Sequence, residues 1–230
     1  MKTIGMIGGL SWESSAEYYR IINQGIRARL GGVHSAQSLM FSFDFGEIEA
    51  LQHAGRWDDA TARMIDAARR LERGGADFLL ICSNTMHRMA AEVEAAVSIP
   101  LLHIADQTAA QIQAQGYRSI GLLGTRYTME QSFYKGRLVE NFGLGVLVPD
   151  DEGRALVNRV IYDELIVGDI KPESRAGYVR VIEAFQQAGA QAVILGCTEI
   201  GLLIKPEDSP LPVFDTTFIH AQAAIDLALA

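Results

Sequence analysis

The chain has 230 residues, 49% of them apolar and 21% charged, which excludes a disordered protein: those are charge-rich and poor in large aliphatic side chains. A net charge of −8 excludes a broad nucleic-acid footprint, which needs a basic face, and no run of about 18 apolar residues is present to span a membrane. The two cysteines, Cys82 and Cys197, are too few for a disulfide scaffold, so a cytosolic protein with reduced thiols is expected.

The chain opens Met1-Lys2-Thr3-Ile4-Gly5-Met6-Ile7-Gly8-Gly9, which reads as a first strand over 3–7 and its turn, not a signal peptide. Ser14-Ser15-Ala16-Glu17 matches a capping box with Ser14 as the cap. Tyr18, Ile22, Ile26 and Leu30 follow at helical spacing, and Gly31-Gly32 stops that helix. A second strand is predicted over 38–43, a helix over 57–73, and a third strand over 77–81, buried on both faces by its unbroken apolarity. A helix is expected from about Thr85, a fourth short strand over 101–104, and a helix over 106–115. The second half runs in the same order. A strand over 118–123 leads to Thr128-Met129-Glu130-Gln131, read as a capping box. Then come a strand over 144–148, helices over 153–167 and 173–188, strands over 192–195 and 213–214, and a closing helix over 216–229.

An internal repeat organises these elements. Ile4-Gly5-Met6-Ile7-Gly8 resembles Ile120-Gly121-Leu122-Leu123-Gly124. Residues 75–81 resemble 189–195, and Pro100-Leu101-Leu102 resembles Pro212-Val213-Phe214, in the same order and at nearly constant separation. Strands alternating with helices imply α/β architecture with mostly parallel sheets flanked by helices. The repeat implies two pseudo-symmetric lobes, the first over 1–108 plus 215–230 and the second over 109–214, with the active site expected in the cleft between them.

Extending the repeat places Ser83 opposite Cys197. In open α/β sheets ligands bind beyond the carboxyl ends of the strands, where both residues fall. Ser83-Asn84-Thr85 and Cys197-Thr198-Glu199 each run from a strand straight into a helix, where free backbone N–H groups favour a carboxylate. A helix N-terminus also lowers a thiol's pKa, so Cys197 is expected to be the base, with Ser83 a weak proton donor or relay. Cys82, one position early, is expected to be buried structure.

These turns resemble those of the aspartate/glutamate racemase family, which works without pyridoxal phosphate. Its pattern is a Cys-Asn-Thr turn in the first lobe and a Gly-Cys-Thr turn in the second. Here they stand as Ser83-Asn84-Thr85, followed by Met86-His87, and Gly196-Cys197-Thr198-Glu199. Gly8-Gly9-Leu10-Ser11-Trp12-Glu13-Ser14 and Leu123-Gly124-Thr125-Arg126-Tyr127-Thr128 match it too. The resemblance covers essentially the whole chain and is closest to the enterobacterial branch specific for L-aspartate and L-glutamate, in which a hydroxyl residue replaces the first cysteine. It implies a two-base isomerase reaction, with Cys197 and Ser83 serving opposite faces of the α-carbon and no cofactor. It implies substrate contacts from Leu10, Gln52, Asn84, Thr85, Thr128, Thr198 and Glu199. It also implies a homodimer acting on a small amino acid, with preference for the L-enantiomer because Ser83 stands where the family usually has cysteine.

His87, one turn beyond Ser83, is open to two readings: it orients substrate or tunes a proton relay, or it bonds to backbone. The other histidines are scattered without metal-ligand spacing, so no metal is expected. Neither a G-x-G-x-x-G nor a G-x-x-x-x-G-K-[ST] loop is present. None of Lys2, Lys135, Lys171 and Lys205 lies in a pyridoxal-phosphate setting. Two rival readings stand beside the racemase: a cofactor-free decarboxylase or isomerase of small dicarboxylic acids, and a carboxylate-binding module that has lost catalysis.

Overall fold

A computed structural model describes residues 1–230. The chain divides into two compact units, Met1–Ile104 with His220–Ala230, and Ala105–Ile219. Each is a parallel-sheet α/β lobe.

In the first unit β1 (Ile4–Gly8) lies between β2 (Ser38–Ser42) and β3 (Phe78–Ile81), all parallel, in the order β2-β1-β3. All five residues of β1 and all four of β3 are buried, as central parallel strands require. Helix α1 (Trp12–Leu30) returns the chain to β2. Helices α2 (Phe45–His53) and α3 (Trp57–Arg73) connect β2 to β3, and a 3₁₀ turn, Thr85–Met89, leads into α4 (Ala90–Ala95). Helix α5 (Ile104–Ala114) carries the chain into the second unit.

That unit has four parallel strands. β4 (Ser119–Gly124) is followed by α6 (Arg126–Glu130), α7 (Ser132–Phe142) and β5 (Gly145–Leu147). α8 (Asp151–Asp163) and α9 (Pro172–Gln187) precede β6 (Ala192–Gly196), and α10 (Ile200–Leu203) precedes β7 (Val213–Asp215). The sheet order is β5-β4-β6-β7, and α11 (Thr216–Leu229) returns to the first unit.

The sequence repeat corresponds to matched registers. Gly5 pairs with Leu79 and Gly121 with Val193, one residue after Ile4 and Ile120 at the equivalent point of each central strand. A Cβ on Gly5 would come within 2.8 Å of Ala76 and Leu79, and one on Gly121 within 2.3 Å of the Phe185 ring, so glycine is required at both. Gly75 and Gly189 both adopt positive φ (94° and 87°) two residues before the equivalent amides of Asp77 and Gln191, which donate to Thr3 and Ser119 carbonyls.

Several expected boundaries differ from those observed. Helix α1 is capped by Ser11, not Ser14: the Ser11 hydroxyl accepts from the Ser14 amide at 3.4 Å. Gly9, at φ 72°, turns the chain early enough for Ser11 to take the cap. Helix α6 is capped by Thr125, not Thr128, because Thr125 holds the extended backbone and accepts from Thr128 N–H. The strand expected over 101–104 is reduced to a single bridge, Leu79 to Leu101, and Ile104 already begins α5. Beyond the bridge the carbonyl of Leu102 and the amide of Ile104 bond to the His220 and His87 side chains instead of to a strand. Helix α2 was not expected at all. It buries only Ile48 and Gln52, too little for a periodic signal, although Asp44 three residues before Glu47 has the spacing of a helix start.

Candidate functional site

The first turn follows β3. Cys82 donates its amide to Ile7, lies wholly buried among Ile4, Met6 and Tyr18, and has its thiol pKa pushed up by that burial. Ser83 sits next, 8% exposed. Its hydroxyl oxygen accepts the Met86 amide at 3.4 Å, which leaves the O–H able to donate. The Ser83 carbonyl accepts from Nδ1 of His87 at 2.7 Å. Asn84 and Thr85 are buried beside it. Leu10 belongs to the same apolar cluster as Met86 and Ile48, and Gln52 of α2 reaches the Met86 sulfur with its amide nitrogen at 3.1 Å. The structure thus gathers Leu10, Gln52, Ser83, Asn84 and Thr85 around one strand end.

Histidines brace this turn. His87 Nε2 accepts from the Ile104 amide at 3.2 Å, so the structure gives His87 backbone partners on both ring nitrogens. His220 of α11 donates Nε2–H to the Leu102 carbonyl at 2.8 Å and takes the Tyr18 hydroxyl on Nδ1 at 2.8 Å. The rings of His103 and His220 stand 4.5 and 5.8 Å from that of His87, edge to face. Burial lowers the His220 pKa to about 4. His103 pushes the same way, and the bond to Leu102 opposes both. The neutral ring is therefore the native one. An unfolded chain takes a proton on this side chain below about 6.5, while the fold refuses it until about 4. Stability should fall across that window as the pH drops, by about 3 kcal/mol in all. His220→Gln keeps a donor for Leu102. It is expected to be less stable at pH 7 but to lose less on acidification, as denaturant midpoints at pH 7 and pH 4.5 will show. Equal losses in both proteins would refute the assignment.

The second turn follows β6. Cys197 is 9% exposed, and its thiol donates to Oε2 of Glu199 at 2.9 Å. Thr198 donates its hydroxyl to the same oxygen at 2.8 Å. Glu199 is 2% exposed, so one buried carboxylate receives two side-chain donors. A low thiol pKa was expected here. Instead burial first, and the adjoining Glu199 carboxylate second, hold Cys197 well above the usual thiol range. The helix that follows has only four residues and begins at Ile200, too short and too late for its dipole to outweigh either effect. Thr128 is buried behind this turn. Its methyl lies 3.4 Å from where a Cβ on Gly196 would stand, and its hydroxyl pairs with Thr125 at 3.2 Å. The structure brings Thr128, Cys197, Thr198 and Glu199 together. The Cys197–Glu199 bond is the feature that sequence spacing could not reveal, because a Cys-Thr-Glu run does not say that the first and third side chains converge.

The remaining candidates fall outside these clusters. Arg126 is exposed, with its backbone amide held by Asn158. None of the four lysines is buried: Lys171 pairs with Asp169, and Lys205 donates to the Gly201 carbonyl. No helix is long and apolar enough to cross a membrane.

Comparison with known proteins places this architecture. The family model for Asp/Glu/hydantoin racemases matches residues 7–224. RacX of Bacillus subtilis, named a broad specificity amino-acid racemase, is 26% identical over 177 residues, covering 75% of this chain and 74% of its own. A crystal structure from Yersinia pestis, provisionally assigned as an Asp/Glu racemase, matches over 100% of both chains with TM-score 0.93 and 54% identity. An aspartate racemase homologue from Pyrococcus horikoshii OT3 matches over 100% of both chains with TM-score 0.86 and 36% identity. With two parallel-sheet lobes, a family match over nearly its whole length and racemase relatives, the chain belongs to the Asp/Glu/hydantoin racemase family and is an amino-acid racemase, an isomerase.

Proposed function

We propose that this enzyme racemises aspartate and glutamate without a cofactor, that Cys197 and Ser83 serve opposite faces of one substrate's α-carbon, and that the L-enantiomers are the preferred starting material. The observation that carries the reading is the buried Cys197–Glu199 hydrogen bond: a thiol at a strand end whose proton already points at a carboxylate. A neutral thiol is no base. Transfer of its proton to Glu199 makes the thiolate that removes the α-proton, and the resulting carbanion takes a proton from Ser83 on the other face; solvent then returns a proton to the Ser83 oxygen and takes the one held by Glu199, which restores the site. Serine gives up a proton poorly and abstracts one worse, so at saturating substrate kcat is higher from the enantiomer that Cys197 faces, with KM higher in the same proportion because the two enantiomers are equal in free energy.

The backbone and side-chain donors of Asn84 and Thr85 suit the substrate's carboxylates, while the Thr198 hydroxyl is held by Glu199. Leu10, Gln52 and Thr128 line the two turns. Glu199 accepts and does not donate, so its part is with the thiol's proton and the substrate's ammonium group, not with a carboxylate. The reading includes a homodimer and a cytosolic site of action.

Chiral chromatography of incubations with L- and D-aspartate and L- and D-glutamate tests it. At saturating substrate the L-forms should be consumed faster, and Ser83→Cys, which supplies a second ionisable thiol, should raise kcat for the D-forms by about tenfold or more. Equal rates for both enantiomers in the native protein would refute the preference. An unchanged rate in the variant would show that residue 83 does not face the substrate.

A further inference from the structure

His87 has no part in the two-base scheme, yet its ring holds the residue that does. In a regular helix the carbonyl of residue i accepts the amide of residue i+4. Here the His87 amide goes to Asn84, at 3.2 Å, and the Ser83 carbonyl is left out of that ladder. The His87 side chain takes it instead, while the Ser83 hydroxyl oxygen takes the Met86 amide. Ser83 is therefore pinned at two points, one on its backbone and one on its side chain.

The partners fix the proton on the ring. A carbonyl only accepts, so Nδ1 carries hydrogen; an amide only donates, so Nε2 does not. The ring is 2% exposed and lies against those of His103 and His220. The ring nitrogens of His87 and His220 bond to the backbone of residues 83, 102 and 104 and to the Tyr18 hydroxyl, so the cluster reads as support for the turn.

We propose that His87, as the neutral Nδ1–H tautomer, is a positioning residue for Ser83: it fixes the direction of the Ser83 hydroxyl and so governs protonation on the serine face without touching the substrate. The proposal rests on the two-base reading above. Small displacements of a reacting group cost large factors in rate, so loss of this hold should depress inversion while leaving proton removal by Cys197 nearly intact.

Two variants separate positioning from stability, because each keeps one of the ring's two bonds. In His87→Asn the amide nitrogen stands near the place of Nδ1 and still reaches Ser83. In His87→Gln the amide oxygen stands near the place of Nε2 and reaches only Ile104. Both should lower the melting temperature to a similar degree. In D2O with L-aspartate, the ratio of D-product formed to α-proton exchanged should stay within about threefold of native for His87→Asn and fall about tenfold for His87→Gln. Equal ratios in the two variants, or the larger loss in His87→Asn, would overturn the proposal. Should neither variant fold, nitrogen-15 NMR of the native ring decides: Nδ1–H is required, and an Nε2–H or doubly protonated ring at neutral pH overturns it. Native protein that exchanges no α-proton would sink the two-base reading, while the ring tautomer and the protection of the Met86 amide would still judge His87's hold on Ser83.

Discussion

Cys197→Ser is expected to lower both racemisation and α-proton exchange by roughly a thousandfold or more, while the melting temperature moves by only a few degrees. The chemistry decides the first half. A site with hydroxyls at positions 83 and 197 has no thiol for Glu199 to deprotonate, a hydroxyl is far harder to ionise, and acid–base schemes lose orders of magnitude when the base is removed. The structure decides the second half. A serine at 197 is smaller than the thiol and keeps a donor for Glu199, so the carboxylate, 2% exposed, is not left without its partner. Chiral chromatography and thermal denaturation on the same preparations check both parts. Residual turnover within tenfold of native would mean that the thiol is a packing residue and the base lies elsewhere.

Glu199→Gln is the second large effect, and it sets two consequences of one charge against each other. The carboxylate pushes the Cys197 thiol up, so its removal should bring the thiol pKa down and make the cysteine easier to ionise. An amide cannot take the thiol's proton, however, and burial continues to disfavour a thiolate. If Glu199 is the acceptor, turnover falls by about a hundredfold or more even as the thiol becomes easier to ionise, since positioned acid–base groups are worth roughly 10²–10⁴. Opposite movement of rate and thiol pKa is the expected result, read from kcat against pH and from alkylation of the thiol against pH. A faster Glu199→Gln enzyme would mean that the carboxylate only suppresses the thiolate.

Long, strongly patterned segments were legible in the sequence, and short or mutually dependent ones were not. The helix expected over 57–73 is observed as Trp57–Arg73, and the closing helix expected over 216–229 as Thr216–Leu229, because each carries apolar positions at helical spacing along several turns. The repeat read in the sequence is observed as two equivalent pairs, Gly5 with Leu79 and Gly121 with Val193, and glycine at those positions answers a steric demand from the neighbouring strand and helix. The misplaced helix caps at Ser14 and Thr128 share one cause: two hydroxyl residues lie three apart, and only the backbone angle at the earlier one decides which caps.

The strand lost after Leu101 depends on His220, which is 118 residues away from Leu102 in the chain, and no local pattern carries that information. The thiol of Cys197 shows the same limit in chemistry. Its place at a strand end was readable, but its pKa is governed by burial and by a carboxylate two residues on, and both are properties of the folded turn.

Hydrogen–deuterium exchange at the α-carbon tests the central claim most directly. Native enzyme in D2O is incubated separately with L-aspartate, L-glutamate and their D-forms, and loss of the α-proton signal is followed by proton NMR, with Cys197→Ser as the control. The account predicts exchange with the L-forms, deuterium retained at the α-carbon of the D-product, and no exchange in the control. No exchange with any of the four amino acids, or the same exchange in the control as in the native enzyme, would contradict it.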